Sequence, residues 1–207
     1  MKISSSLSRL GLVERALKTI QPYESELNSN NYFLKPIDLD YLKTFPAGSL
    51  GAVYAAHMIS NNLDPKFYGE MEALGNGTKF LTRLRQTHDL WHVISGFSTS
   101  VQDELGLQAF MHSQVRSPFS LVIIGAAFIK AGLNNNPFTH ILFERVVLGW
   151  KTGLEAKNIY ALDWDANWST PIDELRKRYD LKAVTPSLHN YKTSDETAPT
   201  QHIQTVQ

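Results

Sequence analysis

The chain has 207 residues, 43% of them hydrophobic, and its 20 Lys and Arg balance its 20 Asp and Glu. A neutral chain of this length can bury one sizeable core, and it offers no overall electrostatic case for binding nucleic acid. With no cysteine, disulfides, thiol catalysis, iron–sulfur ligation and thiolate zinc sites are excluded, so any metal must be held by histidine and carboxylate.

Helical periodicity dominates and alternating strand-like runs are scarce, which predicts an all-α fold. The expectation is a single helical domain over 1–190 with about seven helices, followed by a disordered polar tail over 191–207 that has almost nothing to bury. The first helix, over 5–20, repeats Ile3, Leu7, Leu10, Val13, Leu17 and Ile20 at helical spacing beside Arg9, Arg15 and Lys18. It reads as a terminal helix docked on the core, with a surface-seeking amphipathic helix as the alternative. The N-terminus lacks the apolar run of a secretory leader, so a cytoplasmic location is expected.

Helices are then predicted over 46–60, 76–95, 99–113, 118–132, 137–157 and 171–180. Pro46, Pro118, Pro137 and Pro171 each sit where a first-turn proline belongs, and Thr170-Pro171-Ile172-Asp173 adds an N-cap with an acidic third position. Phe119–Ile129 is the most apolar stretch but is too short to cross a bilayer. It reads as a central core helix, or as the wall of an apolar ligand pocket in which Gly125, Ala126 and Ala127 leave room for a lipid chain.

The chemistry concentrates in His88-Asp89-Leu90-Trp91-His92, followed after eleven residues by Glu104. Two histidines four apart share a helix face and can share an ion, and a carboxylate from a following element can close the shell while leaving positions open for water or substrate. Leu81, Leu84, His88, Trp91 and His92 fall on one side of that helix, so the imidazoles face apolar surroundings, where an unpartnered polar group costs roughly 1–3 kcal/mol. A cation with Asp89 and Glu104 nearby satisfies them; protein partners alone are the alternative. Sixteen residues rotate Glu104 about 160° from His88 on one continuous helix. The Gly96 region must therefore turn the chain, with Ser98, Thr99 and Ser100 as N-caps of a second helix.

Arg85, three residues before His88, and Arg83 are candidate substrate-binding residues whose forks could grip a carboxylate or phosphate; the alternative is surface pairing with Glu70 or Glu72. Two imidazoles with two carboxylates suit zinc, a two-His, one-carboxylate face suits iron, and carboxylates with water could accept magnesium.

These residues lie within a longer order of motifs: Phe45-Pro46-Ala47-Gly48-Ser49-Leu50-Gly51-Ala52-Val53-Tyr54, Arg83-Leu84-Arg85-Gln86-Thr87-His88-Asp89-Leu90-Trp91-His92, Asp103-Glu104, then Trp150-Lys151-Thr152-Gly153-Leu154-Glu155-Ala156, Leu162-Asp163-Trp164-Asp165 and Leu175-Arg176. Over roughly 42–182 the chain resembles the Coq four (Coq4) family of ubiquinone biosynthesis proteins. The resemblance implies an all-helical fold, homodimers, peripheral membrane association through lipid contact, and a divalent metal, usually described as zinc, on His88, Asp89, His92 and Glu104. It also implies a role in building polyprenylated quinones, through oxidative decarboxylation at carbon one of the polyprenyl-hydroxybenzoate ring and through organising other quinone-biosynthesis enzymes. The chain departs from the family at Leu107-Gln108 and Met111, where Val-Lys and a second Glu are common, and at Trp164-Asp165, where Trp-Glu is common.

The leading expectation is thus a metal-dependent enzyme acting on a prenylated aromatic acid, with His88, Asp89, His92 and Glu104 catalytic and an apolar pocket for the isoprenoid tail. One alternative is a non-catalytic scaffold that binds prenyl lipid. The other is a His-Asp-type phosphohydrolase, which would recruit His57 and Asp163 to the His88-Asp89 pair.

Overall fold

The computed structural model of the protein describes residues 12–24, 32–65 and 76–187. Among these the fold is all helical, with no strand. In chain order the helices are α1 (Leu12–Glu24), α2 (Leu39–Leu42), α3 (Leu50–Ser60), α4 (Asn76–Gln86), α5 (His88–Ser95), α6 (Val101–Val115), α7 (Pro118–Leu133), α8 (Thr139–Glu155) and α9 (Ile172–Arg178), with a 3₁₀ turn at Asp165–Asn167. The start of the predicted first helix, Glu70 and Glu72, and the polar tail lie outside the described residues.

Helix starts follow cap chemistry more closely than proline positions. Ser49, Ser100 and Ser117 accept backbone N–H bonds from Ala52, Asp103 and Ser120, and each opens a helix. Pro118 alone among the four prolines begins its helix. Pro46 and Pro137 stand before their helices, and Pro171 takes the N-cap position of α9. The Thr170 hydroxyl does not cap α9: it bonds Asn167 Oδ1 at 3.1 Å, while its carbonyl accepts the Leu50 N–H.

The main core joins Tyr54, Met58, Phe80, Leu84, Leu90, Trp91, Ile94, Phe97, Leu107, Phe110, Ile159, Tyr160, Trp164 and Leu175. α1 docks on this body through Leu17. A second, smaller cluster of Leu105, Ala109, Ile124, Ala131 and Leu142 ties α6 to α7 and α8. α6 and α8 cross at glycine contacts: a Cβ on Gly149 would lie 1.9 Å from the Gly106 carbonyl oxygen, so the backbones touch where side chains normally intervene.

α7, the most apolar helix, is not a central core helix. Leu121, Val122, Ile123, Ile129 and Leu133 face outward, the last two 66% and 80% exposed. Only Pro118, Ser120, Ile124 and Ala131 of α7 are buried. On α8, Phe143, Val147, Trp150 and Leu154 are also exposed, and Val146, Val147, Trp150 and Leu154 line an open groove of about 510 Å³ with Lys151 and Glu155 at its rim. Apolar composition places a helix against other apolar matter; on α7 and α8 much of that surface is left uncovered by the described chain.

Candidate metal centre

The predicted helix over 76–95 is divided at Thr87, whose backbone (φ −98°, ψ 0°) leaves helical geometry. Its hydroxyl donates to the Arg83 carbonyl and accepts the Trp91 indole N–H at 3.0 Å, so the junction is pinned from both sides. α5 then presents His88 and His92 one turn apart. It ends at Gly96, which adopts φ +85°, and the chain reverses into α6, capped by Ser100, to deliver Glu104. A side chain at Gly96 would be strained by that φ, and its Cβ would come within 2.5 Å of the Val184 carbonyl oxygen.

The turn brings three of the four predicted ligands together. Donor atoms of His88, His92 and Glu104 lie within 4.8 Å of one another. Glu104 Oε1 is 2.9 Å from His92 Nε2, and Oε2 is 3.6 Å from His88 Nε2. Asp89 is not part of this convergence. Its charge is felt instead at Tyr54, His57 and His92. The Tyr54 phenol is pushed above its ordinary value first by burial and then by the Asp89 charge.

His92 is almost fully buried, at 1% exposure, and its other ring nitrogen, Nδ1, lies 3.0 Å from the Phe97 carbonyl oxygen. A carbonyl can only accept, so Nδ1 carries a proton and Nε2 is the atom available to an ion. Without a cation, Glu104 favours a proton on Nε2 as well. Burial alone would lower the His92 pKa, but the Glu104 hydrogen bond and charge, with the Phe97 carbonyl, outweigh it and raise it. For Glu104 burial pulls upward, and the two histidines overcome it to hold the carboxyl at about 2. An ionised carboxylate and two imidazoles, one with its tautomer fixed from behind, form a donor set that suits zinc or iron.

Three features outside the predicted ligand set surround the centre. Asp103, fully buried, accepts from Ser98 N, Ser98 Oγ and Ser187 N through Oδ2 and pairs with Arg145 Nη2 at 2.6 Å through Oδ1. Arg145 also donates to the Thr185 carbonyl and lies over the Phe97 ring. Arg176 of α9 donates to the Val93 and Ile94 carbonyls, closing the end of α5. The third feature is His57 on α3, whose ring stacks on His92 with centroids 5.7 Å apart and planes 25° from parallel. Its position three residues after Tyr54 puts both on one helix face, a weak signal that gains meaning only when α3 meets α5.

The other predicted residues lie elsewhere. Arg83 is a buried structural clamp: its guanidinium donates to the carbonyls of Tyr32, Tyr160 and Leu162 and packs against the Tyr32 and Tyr160 rings. Its donors are thereby committed to the fold rather than presented to a substrate. Arg85 is exposed on α4. Asp163 accepts the Ala166 N–H at the 3₁₀ turn and is outside the His88–His92–Glu104 group, so the four-residue set of a His-Asp phosphohydrolase is not assembled.

Comparison with known proteins agrees with this architecture. The crystal structure of a putative ubiquinone biosynthesis protein from Nostoc punctiforme superposes with a TM-score of 0.75 at 26% identity, covering 84% of each chain. The ubiquinone biosynthesis protein coq4, mitochondrial, of Aspergillus fumigatus is 27% identical over 150 residues, 70% of this chain and 51% of that protein. The Schizosaccharomyces pombe protein of the same name is 24% identical over 156 residues, 73% of this chain and 56% of that one. The chain thus spans about half the length of these curated relatives. Their mitochondrial names do not fit the expectation of a plainly cytoplasmic protein. Among the described residues no helix is long and apolar enough to cross a membrane. The model of the family described as coenzyme Q (ubiquinone) biosynthesis protein Coq4 matches residues 30–185, and the chain belongs to that family.

Proposed function

We propose that this protein is a metal-dependent enzyme of prenylated-quinone biosynthesis that replaces the ring carboxylate of a polyprenyl-hydroxybenzoate by hydroxyl. The observation that carries the reading is the convergence of His88, His92 and Glu104 donor atoms within 4.8 Å in a Coq4-family chain. A divalent ion held there supplies a Lewis-acid centre for a carboxylate or ring oxygen of the substrate. His92 is oriented by Phe97 and keeps Nε2 turned inward, while Glu104 stays ionised and supplies the charge that offsets the cation. Exchanging carboxylate for hydroxyl releases carbon dioxide and removes two electrons from the ring, so an oxidant such as dioxygen must be supplied.

The outward apolar side of α7 and α8 supports the rest of the proposal: contact with the isoprenoid tail, a membrane surface, a second copy of the chain, or other enzymes of the pathway. On this reading the protein works at the membrane where its lipid substrate resides. Purified protein should carry stoichiometric zinc or iron and a co-extracted prenyl lipid, identified by metal analysis and mass spectrometry. It should release carbon dioxide from a prenylated 4-hydroxybenzoate, and the double variant His88→Ala/His92→Ala should do neither. A folded wild-type protein with bound lipid but no metal and no turnover would favour the non-catalytic lipid-binding scaffold.

A further inference from the structure

Buried nitrogen and oxygen atoms in folded proteins nearly always have a hydrogen-bond partner, so an enclosed polar atom without one invites explanation. His57 Nε2 is such an atom: it is sealed from solvent and meets no hydrogen-bond partner. Its surroundings are the polar centre of the molecule. The ring lies face to face with His92, and the charges of Asp89 and Glu104 and both other histidines reach it. His92 offers only its ring face, since its two nitrogens are engaged by Phe97 and Glu104. The described chain therefore supplies the His57 ring with a stacking partner but leaves Nε2 with no acceptor or donor. His57 also stands outside the group of mutually close donor atoms, so it is not a fourth member of the ligand set as that set is built here.

Resting on the metal-centre reading above, we infer that His57 is a substrate-positioning residue, whose Nε2 hydrogen-bonds the oxygen of the exogenous ligand that occupies the open position beside His88, His92 and Glu104. Three protein donors leave such a position open, and an exogenous oxygen there would give the enclosed nitrogen the partner the chain withholds. The residue would act on the substrate head group, holding its carboxylate or ring oxygen, and would contribute little to holding the ion.

Cobalt(II) loading of the full chain, followed by titration with 4-hydroxybenzoate and monitored through the cobalt visible bands, separates these roles. His57→Phe keeps a flat ring against His92 but removes the polar atom, and His57→Gln restores one. With melting curves confirming folded protein in each case, His57→Phe should bind cobalt within about threefold of wild type. Its affinity for 4-hydroxybenzoate should fall about tenfold or more, and His57→Gln should recover most of that loss. A fall in cobalt affinity of about a hundredfold in His57→Phe would make His57 a ligand and overturn the inference. Unchanged 4-hydroxybenzoate affinity, or no spectral response to the probe in cobalt-loaded wild type, would overturn it as well. Wild-type protein that takes up no cobalt would instead sink the metal reading itself, and the inference with it.

Discussion

The centre on α5 and α6 and the surface of α7 and α8 invert the usual relation between composition and burial. His92 and Asp103 at the centre, like Arg83 on the neighbouring α4, are buried and heavily bonded, whereas α7 carries the most apolar sequence and leaves much of it exposed. The difference follows from what each region can pair with. Each nitrogen of the Arg83 clamp finds a carbonyl inside the chain, and the Asp103 oxygens find the Ser98 hydroxyl, two backbone N–H groups and Arg145. Leu121, Ile129 and Leu133 find no apolar counterpart among the described residues that would cover them. Burial is thus set by available partners, and hydrophobicity is one kind of partnership among several.

The contrast is broken most severely at Arg83. Arg83→Leu strips hydrogen bonds from three carbonyls at once, and at roughly 1–3 kcal/mol for each buried group left unpaired the loss should be about 4 kcal/mol, read from urea unfolding. Next, His92→Ala should weaken zinc binding by more than about 100-fold, beyond the effect usual for outer-sphere changes, in a competition titration against a chromophoric chelator. If affinity holds, the site is a polar core cluster and not a metal centre.

Acidity sharpens the same region. The raised His92 pKa contributes stability to the metal-free protein that is complete below the unfolded histidine value and is lost as pH rises through the raised folded value. Glu104 contributes above its unfolded value near 4.5, and that contribution is lost as pH falls towards about 2. The pair therefore stabilises the metal-free fold most between roughly pH 4.5 and 6.5. Zinc must displace the His92 proton, so below the folded His92 value its affinity should climb about tenfold per pH unit, with proton uptake by the buffer visible in calorimetry. A flat profile would mean that His92 is already neutral. The smallest expected change is on the apolar surface: Ile129→Lys and Leu154→Lys should alter unfolding stability by no more than about 0.5 kcal/mol while weakening sedimentation with lipid vesicles. A large loss of stability would show that this surface is covered after all.

Much of this was legible in residues 88–104, where helix period, Gly96 and the serine caps led correctly to two helices and a turn that brings His88, His92 and Glu104 together. Local chemistry carries that far because each of those signals acts within a few positions of itself. Asp89 stands apart from that group of donor atoms, its side chain leaving the helix about 100° round from that of His88. The roles of Arg83 and Arg145 were not readable, because a guanidinium looks the same in sequence whether it grips a substrate or carbonyls some 40 to 79 positions away. α7 was misplaced for a related reason: an apolar run declares its affinity for apolar matter without saying whether its own chain will provide it.

The short segment over α5 and α6 has one more consequence. Val184 N–H bonds the Ser95 carbonyl, and Ser187 N–H bonds Asp103 across 84 positions of sequence, beside the very turn that separates the histidines from Glu104. Synthesis proceeds from the N-terminus, so all three ligands leave the ribosome long before the strand that fastens them. The turn that brings the histidines to Glu104 is therefore fastened in part by the 180s, residues that emerge after all three ligands.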